Sequence, residues 1–161
     1  MNETSGLLTD AVREAAHRSV LCWLATVDAQ GQPNVSPKEV WAVADDRHVV
    51  VANIASPVTA RNIAQQARVC LSFVDVFVQK GFKLTGMASE VRADNPEFAA
   101  WAAPLQAMVG KRFTIRSVLV IQVQSVAAIV APSYLFYPNE TTEASQVTAA
   151  MRSYGVMPSV G

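Results

Sequence analysis

The stretch "VLCWLATVDAQGQPNVSPKEVWAV", residues 20–43, decides the architecture. An apolar run over 20–27 meets the turn residues "DAQGQ", where Gly31 is free to take positive φ, and a second extended run over 33–43 returns. Two such runs joined by so short a turn form an antiparallel hairpin, because a parallel pair needs a crossover of a dozen or more residues. Pro33 and Pro37 cannot donate to a ladder, which places the returning strand at a sheet edge or at a bulge, with backbone groups left for another partner.

Outward from the hairpin the same grammar continues. "HVVVANI" (48–54) reads as a strand, Ser56 and Pro57 take the cap and first position of a helix ending near Gln66, and "RVCLSFVDV" (68–76) returns as a strand. "GFKLTGMASEVRA" (81–93) is a long strand in which Gly86 predicts a bulge or a close backbone approach. Asn95 or Asp94 caps a helix from Pro96 to about Met108, with Phe98, Trp101, Ala102 and Leu105 on its apolar stripe. Residues 113–132 form one long bent strand or two consecutive ones, and a last helix covers about 143–151. Ahead of the hairpin, residues 10–18 form an amphipathic helix behind Thr9, suited to covering a sheet with Val12, Ala15 and Ala16. Hairpins with only short helices predict a single domain over residues 1–161, mainly β within an α+β class: a six-stranded antiparallel split β-barrel with short flanking helices.

Thirteen basic and thirteen acidic residues cancel, so the chain carries no electrostatic footprint for nucleic acid or an anionic membrane, and any basic site is local. Only 16% of residues are charged against 51% hydrophobic, a surplus that burial between subunits would absorb. The opening residues contain no cleavable apolar segment and no uninterrupted 18-residue apolar stretch follows, so a cytoplasmic protein without a membrane span is expected. Cys22 and Cys70 sit in apolar surroundings and read as reduced core thiols.

Several chemistries lack their signals. His17 and His48 are isolated, which predicts no metal site, and no nucleophile elbow, phosphate-binding P-loop or G-x-G-x-x-G is present. What remains is a polar set at the interruptions of apolar strands. Ser36 and Lys38 share one side of their strand opposite Val35 and Pro37, Lys83 and Thr85 share a side of theirs, and Asn53 ends "VVVAN". Thr59, Arg61 and Asn62 occupy the start of the helix at Pro57, where unpaired N–H groups and a guanidinium suit phosphate oxygens. The same spacing also fits solvated helix and strand-edge charges.

The hairpin stretch, followed by "VVVANIASPVTARNIAQQARVCLSFV" and "KGFKLTGMASEV", resembles the pyridoxamine 5'-phosphate oxidase-like family of flavin-binding split barrels. The likeness covers about residues 15–93, and the order of elements extends it to residue 130. It implies a six-stranded barrel and a homodimer holding FMN in grooves between subunits. Carried over, Ser36, Pro37 and Lys38 match the segment along the flavin ring or ribityl chain, and Asn53 and Ile54 the strand end beside it. Thr59, Arg61 and Asn62 match the helix entry that grips the phosphate, and Lys83 a basic hairpin position reaching the same cofactor. No catalytic side chain is implied, because flavin carries the redox chemistry. The resemblance departs at the C-terminus, where family oxidases carry a basic "R-x-R-L-x-P"-like segment for the substrate phosphate; here "MRSYGVMPSVG" offers Arg152 alone. The implied activity is therefore an FMN-dependent oxidoreductase exchanging electrons with a small molecule or NAD(P)H, with a non-catalytic flavin carrier and a deazaflavin F420 reductase as alternatives.

Overall fold

A computed structural model describes residues 6–111 and 113–158. Helix α1 (Asp10–Arg18) precedes β1 (Cys22–Val27), β2 (Pro33–Lys38), β3 (Trp41–Val43) and β4 (His48–Asn53). Then come α2 (Pro57–Gln65), β5 (Arg68–Asp75), β6 (Lys80–Arg92), α3 (Phe98–Val109), β7 (Ser117–Val130), α4 (Pro132–Phe136) and α5 (Glu143–Tyr154). All pairings are antiparallel and the seven strands form one sheet in the order β2-β1-β5-β6-β7-β4-β3.

The two edge strands are consecutive in the chain. Only Glu39 and Val40 separate β2 from β3, and three peptide spans reach at most about 11 Å, so the sheet has to curl until its first and last strands meet. The run 33–43, expected as one returning strand, thus divides at a bend into β2, which leaves one edge, and β3, which joins the other. Six runs of extended chain become seven strands at that corner. Both prolines of β2 lie on an edge strand, where their missing N–H groups cost no ladder bond.

Each face of the curled sheet buries a core. The concave face holds Cys22, Leu24, Trp41, Val49, Val51, Leu71, Phe73, Leu84, Leu119 and Ile121, closed by Leu8, Val12 and Ala15 from α1 and the segment before it. The opposite face of β4 and β7 presents Val50, Ala52, Val118 and Val120 to Ala102 and Leu105 of α3. Covered on both sides, Val49–Ala52 and Ser117–Ile121 are buried without a break. That is why both stretches read as continuous apolar runs instead of alternating ones. The farther half of β7 emerges from α3, and its burial alternates or is lost.

Gly86 marks the bulge expected of it: the β6–β7 register shifts between Thr85 and Gly86. Among the described residues, no helix covers the outer face of β2, β1, β5 and β6. Pro37, Trp23, Ser72 and Lys83 lie across it in register, with Val35, Ala25, Cys70 and Thr85 in the next row. Trp23 is 47% and Val35 56% exposed there.

Candidate functional site

Strand alternation turns Asn34, Ser36 and Lys38 of β2 to the concave face, beside Thr26 of β1, and α2 crosses over them. Thr59 and Asn62 occupy the buried side of α2 with Ile63. Ser36 Oγ and Thr59 Oγ1 share a hydrogen bond at 3.2 Å, and Asn62 Nδ2 donates to Thr26 Oγ1 at 3.1 Å. Asn34 Nδ2 reaches the same threonine oxygen at 3.3 Å. Asn62 Oδ1 is buried and has no hydrogen-bond partner among the described residues.

Lys38 is the unusual member. It is 6% exposed, and among the described residues no carboxylate pairs with it. Its Nζ donates to Ser56 Oγ, the hydroxyl that would otherwise cap α2; Ser56 makes no side-chain cap bond. Burial holds the Lys38 ammonium below the ordinary lysine range, an effect that Cys22 partly opposes. Opposite Lys38 in the ladder, burial pushes the Cys22 thiol up to about 12, against the pull of the lysine, so it is no nucleophile at neutral pH. A buried cation at the start of a helix whose first N–H groups lack a side-chain cap is an arrangement that calls for an anion.

The second half of the polar cluster comes from the far strands. Asn53 at the end of β4 donates through Nδ2 to Glu90 Oε1 at 3.2 Å and to Ser117 Oγ at 3.0 Å, while its Oδ1 accepts from the Ser56 N–H at 3.2 Å. Ser117 Oγ donates to Glu90 Oε1 at 2.6 Å, the main reason the Glu90 carboxyl lies below its usual range despite partial desolvation. Hydrogen bonds from α2 and Ser56 therefore touch β1, β2 and β4.

Of the residues expected at a cofactor site, Ser36, Lys38, Asn53, Thr59 and Asn62 meet in this one cluster. Ile54 packs instead with the α3 core. Pro37 and Lys83 face the bare outer side of the sheet, and Arg61 is exposed on α2, without an ion pair or hydrogen bond among the described residues. Within one chain these three do not join the cluster. Thr26, Asn34, Glu90 and Ser117 were not anticipated. Thr26 was detectable, since alternation from Cys22 and Leu24 turns it inward; Glu90 and Ser117 meet Asn53 only through pairing across the sheet. Trp101 is a partly buried aromatic whose ring meets His48 at a tilt of 58°, and His48 is anchored by Asp45 at 2.8 Å. Tyr134 bonds the Val78 carbonyl, whereas Tyr137 is exposed.

A cavity of about 570 Å3 lies apart from this cluster, along the free edge of β3, between Arg13, His17 and Val20 on one side and Glu39, Trp41 and Met108 on the other. Among the described residues, no helix is long and apolar enough to cross a membrane.

This geometry accords with a comparison of the chain to known proteins. The sequence profile described as pyridoxamine 5'-phosphate oxidase matches residues 8–130. The chain belongs to that family. The match spans every strand from β1 to β7 and includes the whole polar cluster. Solved structures of similar fold share the curled sheet. A putative pyridoxamine 5'-phosphate oxidase from Lactobacillus delbrueckii is 22% identical with a TM-score of 0.63, covering 78% of this chain and 97% of its own. An FMN-binding protein from Syntrophomonas wolfei is 17% identical with a TM-score of 0.63, over 75% and 85%. The heme storage protein HutZ of Vibrio cholerae is 22% identical with a TM-score of 0.61, over 76% and 94%. At such identities the likeness establishes the split-barrel fold. No curated protein sequence matches the chain.

Proposed function

We propose that the protein is a homodimeric, FMN-binding oxidoreductase of the pyridoxamine 5'-phosphate oxidase-related type acting on a small molecule. The observation that carries the reading is Lys38, a buried cation that no carboxylate pairs with among the described residues, at the start of α2, where a dianionic phosphate would find charge and backbone donors together. When bound, flavin supplies the redox chemistry; the chain's task is to hold and orient it in a dry groove. The bare outer face with Trp23 and Val35 suits a second copy, which would bring Pro37 and Lys83 to the subunit seam. Sedimentation at twice 17.3 kDa tests the dimer.

Titration of the apoprotein with FMN and riboflavin tests the phosphate site. FMN is expected to bind more tightly, and equal affinities would defeat the proposal. Arg61→Ala is expected to weaken FMN about 10-fold, or about 1.4 kcal/mol, and leave riboflavin unchanged, because an exposed guanidinium adds only one screened charge-assisted contact. Equal effects on both ligands would remove Arg61 from the site. Oxidation of NAD(P)H by the loaded protein separates an oxidoreductase from a non-catalytic carrier, and competition by F420 separates the deazaflavin alternative. A heme reading has less to stand on: of the two histidines, His48 is held by Asp45 and His17 is exposed on α1.

Pyridoxamine 5'-phosphate itself is expected to be a poor substrate. Arg152 is exposed in the last turn of α5 and brings no second basic residue with it, so a second phosphate lacks a grip. Formation of pyridoxal 5'-phosphate at roughly 1 per second or faster would contradict this.

A further inference from the structure

Glu90 is 37 residues from Asn53 and belongs to β6, yet its carboxylate meets the Asn53 side chain beside the start of α2. Its two oxygens are divided. Oε1 accepts from Ser117 Oγ and Asn53 Nδ2, while Oε2 takes Nε and Nη2 of Arg92 at 3.3 and 3.2 Å. Both acceptors available to the Asn53 amide nitrogen, Glu90 and Ser117, therefore lie on one side. The amide oxygen is left facing the other way, where the Ser56 N–H donates to it. An asparagine flipped by half a turn would set its NH2 against that N–H, donor against donor, and leave the carboxylate facing its oxygen. Ser56 in turn accepts from Lys38. A continuous series of polar contacts thus runs from Arg92 through Glu90, Asn53 and Ser56 to Lys38.

We propose that Glu90 is a positioning residue for the anion-binding end of α2: it sets the Asn53 amide, Asn53 sets the Ser56 backbone, and Ser56 holds Lys38 at the helix start. The proposal rests on reading that helix start as the flavin phosphate site. The charges are placed to suit it. A carboxylate beside Lys38 would neutralise the ammonium and repel a phosphate, whereas Glu90 acts two residues removed with its own charge taken up by Arg92. Ser117 belongs to the same device, since its hydroxyl accepts from Asn53 and donates to Glu90.

Amide hydrogen exchange at Ser56 in the flavin-free full-length chain reads the first link without any ligand. Glu90→Ala is expected to speed Ser56 exchange about 5-fold, the equivalent of one lost hydrogen bond, with the amides of Val50 and Leu119 unaffected. Asn53→Ala is expected to do the same, and the double variant to go no further than Asn53→Ala alone. Glu90→Gln, which keeps an acceptor for Ser117 and Asn53, is expected to restore most of the protection. The second link is read by affinity: Glu90→Ala should weaken FMN about 5-fold and riboflavin less than 2-fold. If Glu90→Ala does not fold, Ser117→Ala removes the second acceptor of the Asn53 amide and the donor that holds Glu90, and is expected to move Ser56 exchange and FMN affinity in the same direction. Unchanged Ser56 exchange in a folded variant, additive effects of Glu90 and Asn53, or equal losses for FMN and riboflavin would each overturn the proposal. Absence of any phosphate preference in the parent protein would defeat the proposed function instead, and the link from Glu90 to Ser56 would still be decided by exchange.

Discussion

Lys38→Met is expected to cost about 100-fold or more in FMN affinity, near 2.7 kcal/mol, and at the same time to make the flavin-free protein more stable. The two effects have one cause. A buried ammonium that no carboxylate pairs with among the described residues is paid for in desolvation, and a methionine of similar length fills the same space without that cost, a gain of about 1–2 kcal/mol. Methionine also releases Ser56 Oγ to cap its own helix, a further gain in the same direction. Titration with FMN and thermal melting of the apoprotein check both halves. Retention of FMN within 3-fold, about 0.7 kcal/mol, or a drop in the melting midpoint, would show that Lys38 is a structural residue. The pH dependence has a definite sign. Since burial lowers the folded-state pKa of Lys38 below its ordinary 10.5, the unfolded chain holds more protons between the two values. Stability from this group therefore rises with pH through that window. FMN affinity should fall over the same range as the ammonium loses its proton. Lys38→Met should show neither trend.

The second large effect belongs to the bulge. A Cβ added at Gly86 would stand 2.2 Å from the Gln122 carbonyl oxygen and 3.1 Å from the Val123 Cα. Both are backbone atoms of the paired strand, so no side-chain rotation relieves the clash. Gly86→Ala is expected to destabilise the fold by about 3 kcal/mol or more, beyond the usual cost of overpacking a side chain. Chemical denaturation measures it, and a loss below about 1 kcal/mol would mean that β6 and β7 can re-register around the substitution. The bulge also carries the change of register between the barrel end of the hairpin and the end that bears Glu90. FMN affinity in any folded Gly86 variant should therefore fall as well.

Most of the fold was legible because its signals are local. The turn at Gly31, the Ser56-Pro57 helix start, the glycine in β6 and the stripe of Phe98, Trp101, Ala102 and Leu105 each announce themselves within a few residues. The break between β2 and β3 was not legible. "PNVSPKEVWAV" keeps its extended character throughout, and what divides it is that Lys38 pairs with Cys22 at one edge whereas Trp41 pairs with Val51 at the other. The short helix α4 was also missed; five residues after Pro132 carry too little periodicity to register. At the site, alternation correctly put Ser36 and Lys38 on one side, and Thr59 and Asn62 were placed at the start of the Pro57 helix, while only the family resemblance put the four around one site. Alternation could not reveal that Lys38 is buried, since that depends on α2 lying over the strand. Nor could it find Glu90 and Ser117, whose link to Asn53 spans 37 and 64 residues and exists only through the ladders of β4, β6 and β7.

The bend at Glu39 and Val40 has a bearing on how the protein behaves in a crowded solution. An open sheet of seven strands ordinarily exposes two templates on which other chains can polymerise into fibrils or insoluble aggregates. Here both templates belong to one run of chain. The six residues of β2 include two prolines, and the three of β3 are too few to recruit a foreign strand. The corner that brings Lys38 into the barrel thereby also protects an apolar, sparsely charged sequence against runaway strand addition.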